Sequence, residues 1–134
     1  MIVRKLDSLE GTDREVIANN WKSVRLLLKK DSMGFSLHET IIHSGTETEM
    51  WYKNHLEAVY CIEGVGEIFD KATLQRHAIE PGTLYALDKH DKHILKALSE
   101  MRLICVFNPP CIGNEIHDND GSYPIEQTKK EVLQ

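Results

Sequence analysis

The 134-residue chain carries 16 basic and 21 acidic side chains, a formal charge of −5 with histidines neutral, which argues against nucleic acid or an anionic membrane as partner. One domain with a real core fits that length, and two do not. No apolar run approaches the ~20 residues of a membrane span, Met1-Ile2-Val3-Arg4 opens no signal peptide, and Cys61, Cys105 and Cys111 lack CxxC spacing, so a cytoplasmic protein with reduced thiols is expected.

Along the chain, Thr12-Asp13-Arg14-Glu15 has the form of a capping box. Asn19-Asn20 stops the pattern at once, which predicts a single helical turn. From Val24 onward the period is two. Phe35, Leu37, Glu39 and Ile41 share one face of a strand, and His38, Thr40 and Ile42 the other. Further strands are predicted at 56–62, 67–69, 74–79, 83–87, 93–98 and 101–107. Turn signals separate most of them: Gly64-Val65-Gly66, Asp70-Lys71, Pro81-Gly82, 88–92 and Ser99-Glu100. Seven or more short strands at this spacing predict an all-β sandwich or barrel. Asn108-Pro109-Pro110 breaks the last strand. The domain is therefore read as one unit over 1–134, with a barrel core over about 1–115 and a tail from about 116. The stretch from Gly121 on is polar and expected to be mobile.

Alternation assigns side chains to the barrel interior. Glu57, Val59 and Cys61 share a face, as do Thr83, Tyr85 and Leu87, then His93, Leu95 and Ala97, and finally Met101, Leu103, Cys105 and Phe107. A carboxylate, a phenol and an imidazole thus sit on three strands that are otherwise apolar along the same faces. Such an O,O,N set suits a hard or borderline divalent ion acting as a Lewis acid. Glu57 is the strongest member, since a lone carboxylate on an inward strand face is costly unless paired or ligating. Tyr85 alternatively fills core or rim, and His93 lies beside a charged turn, with His55 and His90 as rival ligands. Trp21 and Arg25, four apart, offer a clamp for a small carboxylate. Glu115 and His117 alternate on a short extended piece where an acid and an imidazole suit proton transfer. Thr40 and Tyr52 offer hydroxyls at the same mouth.

Two motifs, HLEAVYCIEG from His55 and PGTLYALDKHDKH from Pro81, have the strand, glycine-turn, strand outline of a cupin jelly-roll barrel, with Tyr85 where a histidine is usual. With MIVR at the start, Trp21-Lys22-Ser23-Val24-Arg25, HETIIHSG from His38, CVFNPP from Cys105 and GNEIHDNDGSYP from Gly113, the chain resembles the ectoine synthases along nearly its whole length. The resemblance implies a lyase that cyclises N-γ-acetyl-L-2,4-diaminobutyrate to ectoine, using Fe(II) held by Glu57, Tyr85 and His93. Zn, Co or Mn are possible substitutes. It maps substrate contacts to Trp21, Arg25, Thr40, Tyr52, Cys105, Phe107, Glu115 and His117. Proton transfer falls to Glu115, with His117 and Tyr52 beside it. It also implies a cytoplasmic homodimer whose only other partner is the small substrate. Two rival classes remain: a cupin dioxygenase, disfavoured by Tyr85, and a non-catalytic solute sensor, which leaves Glu115 and His117 without a task.

Overall fold

The structure, a computed structural model, describes residues 1–125. A one-turn helix, α1 (Leu6–Leu9), precedes the strands β1 (Glu15–Ile17), β2 (Trp21–Leu27), β3 (Ser36–Ile42), β4 (Glu47–Met50), β5 (Leu56–Glu63), β6 (Gly66–Asp70), β7 (Arg76–Ile79), β8 (Leu84–Leu87), β9 (His93–Ala97) and β10 (Met101–Asn108). They form two antiparallel sheets, one ordered β1-β2-β3-β10-β5-β8 and the other β4-β9-β6-β7. Burial alternates strictly along β3 and β10, so each lays one face on the core.

The helical turn lies ahead of the position predicted for it. The Thr12 hydroxyl donates to the Leu9 carbonyl (2.5 Å) and accepts from the Arg14 amide (3.2 Å), while Glu15 Oε1 accepts from the Gly11 amide (3.2 Å). These side chains close a turn, and Glu15 then pairs with Val24 across β1 and β2. The strand predicted from Leu74 starts at Arg76, because Leu74 takes a left-handed φ of 63° in the turn joining β6 to β7. Polar β4 went unpredicted. Its register against β9, with Thr48 opposite Leu95, comes from tertiary pairing rather than from its own pattern.

Register explains how the interior is assembled. On the inner face of the six-stranded sheet, Arg25, His38, Cys105, Val59 and Tyr85 lie in one row across β2, β3, β10, β5 and β8. The next row carries Ser36, Phe107, Glu57 and Leu87. β8 is added where the Gly82 amide donates to Cys61 O and the Cys61 amide to Thr83 O, both at 2.9 Å. Gly64 must be glycine on two counts: its φ is +89°, and a Cβ there would run into the Glu100 carbonyl.

Beyond β10 the chain doubles back over the open end of the sandwich. The Cys111 carbonyl accepts from the Lys29 amide (2.8 Å) and the Gly121 carbonyl from the Trp51 amide (2.9 Å). Contrary to the expected mobility from Gly121, Ser122 and Tyr123 are 0% and 4% exposed. The stretch 113–123 is a strap packed on the barrel. The rest of the expected tail, 126–134, lies outside the described residues.

Candidate active site

Under the strap lies a cavity walled by both sheets. Trp21, Thr40, Tyr52, Glu57, Tyr85, Cys105, Phe107 and His117, all singled out from sequence, line it. His38 and Tyr123 line it too and were not assigned to the site. The signal for His38 was its alternation with Thr40; Tyr123 lies in a polar tail with no periodicity to flag it. The free space is about 30 Å³, room for roughly two or three waters at ~10–15 Å³ each.

The strap enters the site through His117. Its Nε2 lies 2.7 Å from the Tyr52 hydroxyl, its ring stacks on Tyr123 with centroids 5.0 Å apart, and the Trp21 ring stands at 5.3 Å. Burial, then the neighbouring His93 and Arg25, lower its pKa to about 4. Burial likewise pushes the Tyr52 phenol well above its usual value. At neutral pH the pair is therefore an uncharged imidazole against an intact phenol, a proton acceptor beside a donor.

Glu57 and Tyr85 project from adjacent strands two residues out of register and on the same face, about 7–8 Å apart on the backbone and within side-chain reach. Burial raises the Glu57 carboxyl to about 8, with the Cys105 thiol partly offsetting that. Burial also raises the Tyr85 phenol, and Glu57 adds to the shift. His93 comes from the opposite sheet, paired with Met50 and Asp70. A second, wider cleft of about 540 Å³ opens beside β7 and β8, and Tyr85 and His93 both line it. Tyr85 thus stands between the cavity holding Glu57 and the cleft holding His93. The His93 ring is 1% exposed; Nδ1 lies 2.9 Å from the Asp91 carbonyl, and Nε2 is buried with no hydrogen-bond partner. A backbone carbonyl that fixes Nδ1 as the protonated nitrogen leaves Nε2 as a free lone pair, the state in which histidine ligates metals. Tyr85 lines both spaces, with Glu57 in one and His93 in the other, and a carboxyl, a phenol and an unpartnered imidazole nitrogen are donor types that suit a divalent ion.

Two expected substrate contacts sit behind the cavity wall. Arg25 is 0% exposed; its Nε donates to Ser23 Oγ (3.0 Å), and its Nη1 and Nη2 donate to the carbonyls of Gly113 (2.8 Å) and Glu115 (2.9 Å). Both Glu115 oxygens are engaged, accepting from the amides of Ile112 (2.6 Å) and Gly113 (2.8 Å), with Arg25 Nη1 3.8 Å away. Arg25 and Glu115 therefore fasten the root of the strap. Of the rival ligands, His90 is exposed with Nδ1 2.9 Å from the Tyr52 carbonyl. His55 is buried in a different grouping, with Cys111 and Glu115, whose ligand atoms lie within 4.8 Å of one another.

A family model described as ectoine synthase matches residues 1–127. The chain is 61% identical to an L-ectoine synthase of Desulfatibacillum aliphaticivorans, over 93% of this chain and 98% of that one. It is 63% identical to one of Desulfosudis oleivorans over the same shares. A crystal structure of ectoine synthase from P. lautus superposes with a TM-score of 0.85 at 52% identity, covering 94% of each chain. A cupin domain of a transcriptional regulator from Enterobacter cloacae, 14% identical, superposes with a TM-score of 0.58 over 69% of this chain and 99% of that one. That likeness concerns the fold alone, an all-β cupin.

Proposed function

The chain belongs to the ectoine synthase family and is a hydro-lyase, and on that premise we propose that it cyclises N-γ-acetyl-L-2,4-diaminobutyrate to the compatible solute ectoine. The observation that supports this best is the pair formed by buried Tyr52 and half-buried His117, which line one small cavity with Glu57 and Tyr85. In the reaction the α-amine attacks the acetyl amide carbon, a ring C–N bond forms, and the carbonyl oxygen departs as water with two protons from the amine.

Glu57, Tyr85 and His93 are the residues that would hold Fe(II), which supplies Lewis-acid polarisation of the amide carbonyl. His117, uncharged at neutral pH, takes the amine proton, and Tyr52 passes a proton toward the departing oxygen. Trp21 and Phe107 shield the site from bulk water, which favours expulsion of water from the ring precursor. Thr40 and Cys105, whose Sγ lies 3.6 Å from Thr40 Oγ1, contour the wall opposite. Glu115 acts by holding the strap that carries His117.

A space of about 30 Å³ does not admit the substrate, so the strap lifts on entry. The part that moves is the stretch carrying His117, while the root stays fastened by Arg25 through the carbonyls of Gly113 and Glu115.

Three buried free thiols suit a cytoplasmic setting. In a homodimer, the outward face of β5 and edge strand β8, with Tyr60, Ile62 and Leu84 exposed, is the apolar surface to cover. Turnover of the acetylated diamino acid by iron-loaded protein tests the reading. Loss of the primary amine with gain of a cyclic amidine supports it, and an unchanged substrate refutes it.

A further inference from the structure

We propose that His55, Cys111 and Glu115 form a second cation site, apart from Glu57, Tyr85 and His93, that takes one borderline-soft divalent ion such as Zn(II) and pins the root of the strap to the barrel. The residues come from two segments: His55 from the approach to β5, and Cys111 and Glu115, four apart, from the stretch after β10 that leads into the strap. Their ligand atoms lie within 4.8 Å of one another, and the residues are 3%, 0% and 5% exposed. A tetrahedral ion with bonds of ~2.0–2.3 Å sets its ligand atoms about 3.3–3.8 Å apart, which small side-chain rotations reach from here.

The second observation is independent of that clustering. His55 Nδ1 is buried and has no hydrogen-bond partner, an arrangement folded proteins rarely tolerate without an unplaced water or ion. The other two ligands are already held. The Cys111 amide donates to Ser36 Oγ (2.9 Å) and its carbonyl accepts from the Lys29 amide (2.8 Å). Each Glu115 oxygen accepts one backbone N–H, leaving a lone pair on each.

The chemistry separates this site from the other one. A thiolate, an imidazole and a carboxylate favour zinc or cobalt, whereas an O,O,N set without sulfur suits harder ions. On binding, the Cys111 S–H bond breaks, its proton passes to solvent and a sulfur–metal bond forms. Thiolate and carboxylate then balance the ion's two charges, and Arg25, 3.8 Å from Glu115, keeps its bonds to the strap carbonyls.

The test adds Co(II) alone to metal-free full-length protein and follows thiolate-to-cobalt charge-transfer absorption together with bound metal per chain. Wild type should bind two equivalents and show the band. Cys111→Ser and His55→Gln should each lose one equivalent, Cys111→Ser losing the band as well; Glu57→Ala should lose the other equivalent and keep the band. A wild-type protein without the band overturns the proposal, whereas one equivalent that carries the band and is kept in Glu57→Ala leaves this site standing and counts against the Glu57 set. A band that disappears in Cys105→Ser while Glu57→Ala abolishes it too also overturns the proposal. The wild-type spectrum and the Cys105→Ser control decide the matter even if Cys111→Ser does not fold.

Discussion

The Tyr52 hydroxyl and His117 Nε2 meet at 2.7 Å, joining the segment after β4 to the strap across the cavity. Neither side chain is held this way by local sequence, since 65 residues separate them. The contact both closes the site and places a proton acceptor within it.

His117 should be a neutral base. Its folded pKa is lowered to about 4, below the ordinary value near 6.5, so the imidazole stays uncharged from neutral pH down to about pH 5. NMR titration of the His117 ring checks this, and a midpoint near 6.5 contradicts it. His117→Ala should reduce kcat by about 10²–10⁴-fold with iron content unchanged. Glu115→Ala should also impair turnover, through a loosened strap, with KM raised alongside any fall in kcat.

Metal content and turnover should fall together in Glu57→Ala, Tyr85→Phe and His93→Ala. Phe107→Ala is the contrast: iron retained, substrate positioning weakened, KM raised. Full iron occupancy in Tyr85→Phe would remove the phenol from the ligand set.

Asp31 should make the fold acid-sensitive. Its oxygens accept from Arg4 (2.8 and 3.0 Å), from Arg14 (3.1 and 3.4 Å) and from the Leu28 amide (2.9 Å), and Arg4 above all holds its carboxyl well below the usual range. A depressed folded pKa contributes stability that is complete above the unfolded value near 3.9 and is lost as pH falls toward the folded one. Asp31→Asn should lower Tm at pH 7 by roughly 6–12 °C. That deficit should shrink below pH 4. A deficit that stays constant between pH 7 and pH 3 contradicts this account.

Strap docking should depend on Gly121. Its φ is +71°, and a Cβ would strike the Glu49 carbonyl. Gly121→Ala should accelerate hydrogen exchange of the Trp51 amide, which donates to Gly121 O, and raise KM before it lowers global stability.

Period-two patterning was enough to place Glu57, Tyr85, Cys105 and Phe107 on inward faces, because β5, β8 and β10 bury alternate residues whatever their partners. It said nothing about depth. Arg25 and Tyr85 share one inner row, yet four strand spacings, about 19 Å along the sheet, separate them; Arg25 falls behind the wall and Tyr85 within it. Glu115 looked like a free acid in an extended piece, since its partners, two amides and a guanidinium, are set by how the strap folds back. Tyr123 was invisible for the same reason: nothing local in a polar tail marks a side chain that the Trp51–Gly121 pairing carries into the core.

The most direct test is anaerobic turnover, by the Fe(II)-loaded protein, of substrate carrying ¹⁸O in its acetyl carbonyl. The account predicts one ectoine per substrate, with the label in solvent water and no requirement for oxygen. Label retained in an organic product, or turnover only when oxygen is admitted and consumed, would contradict it.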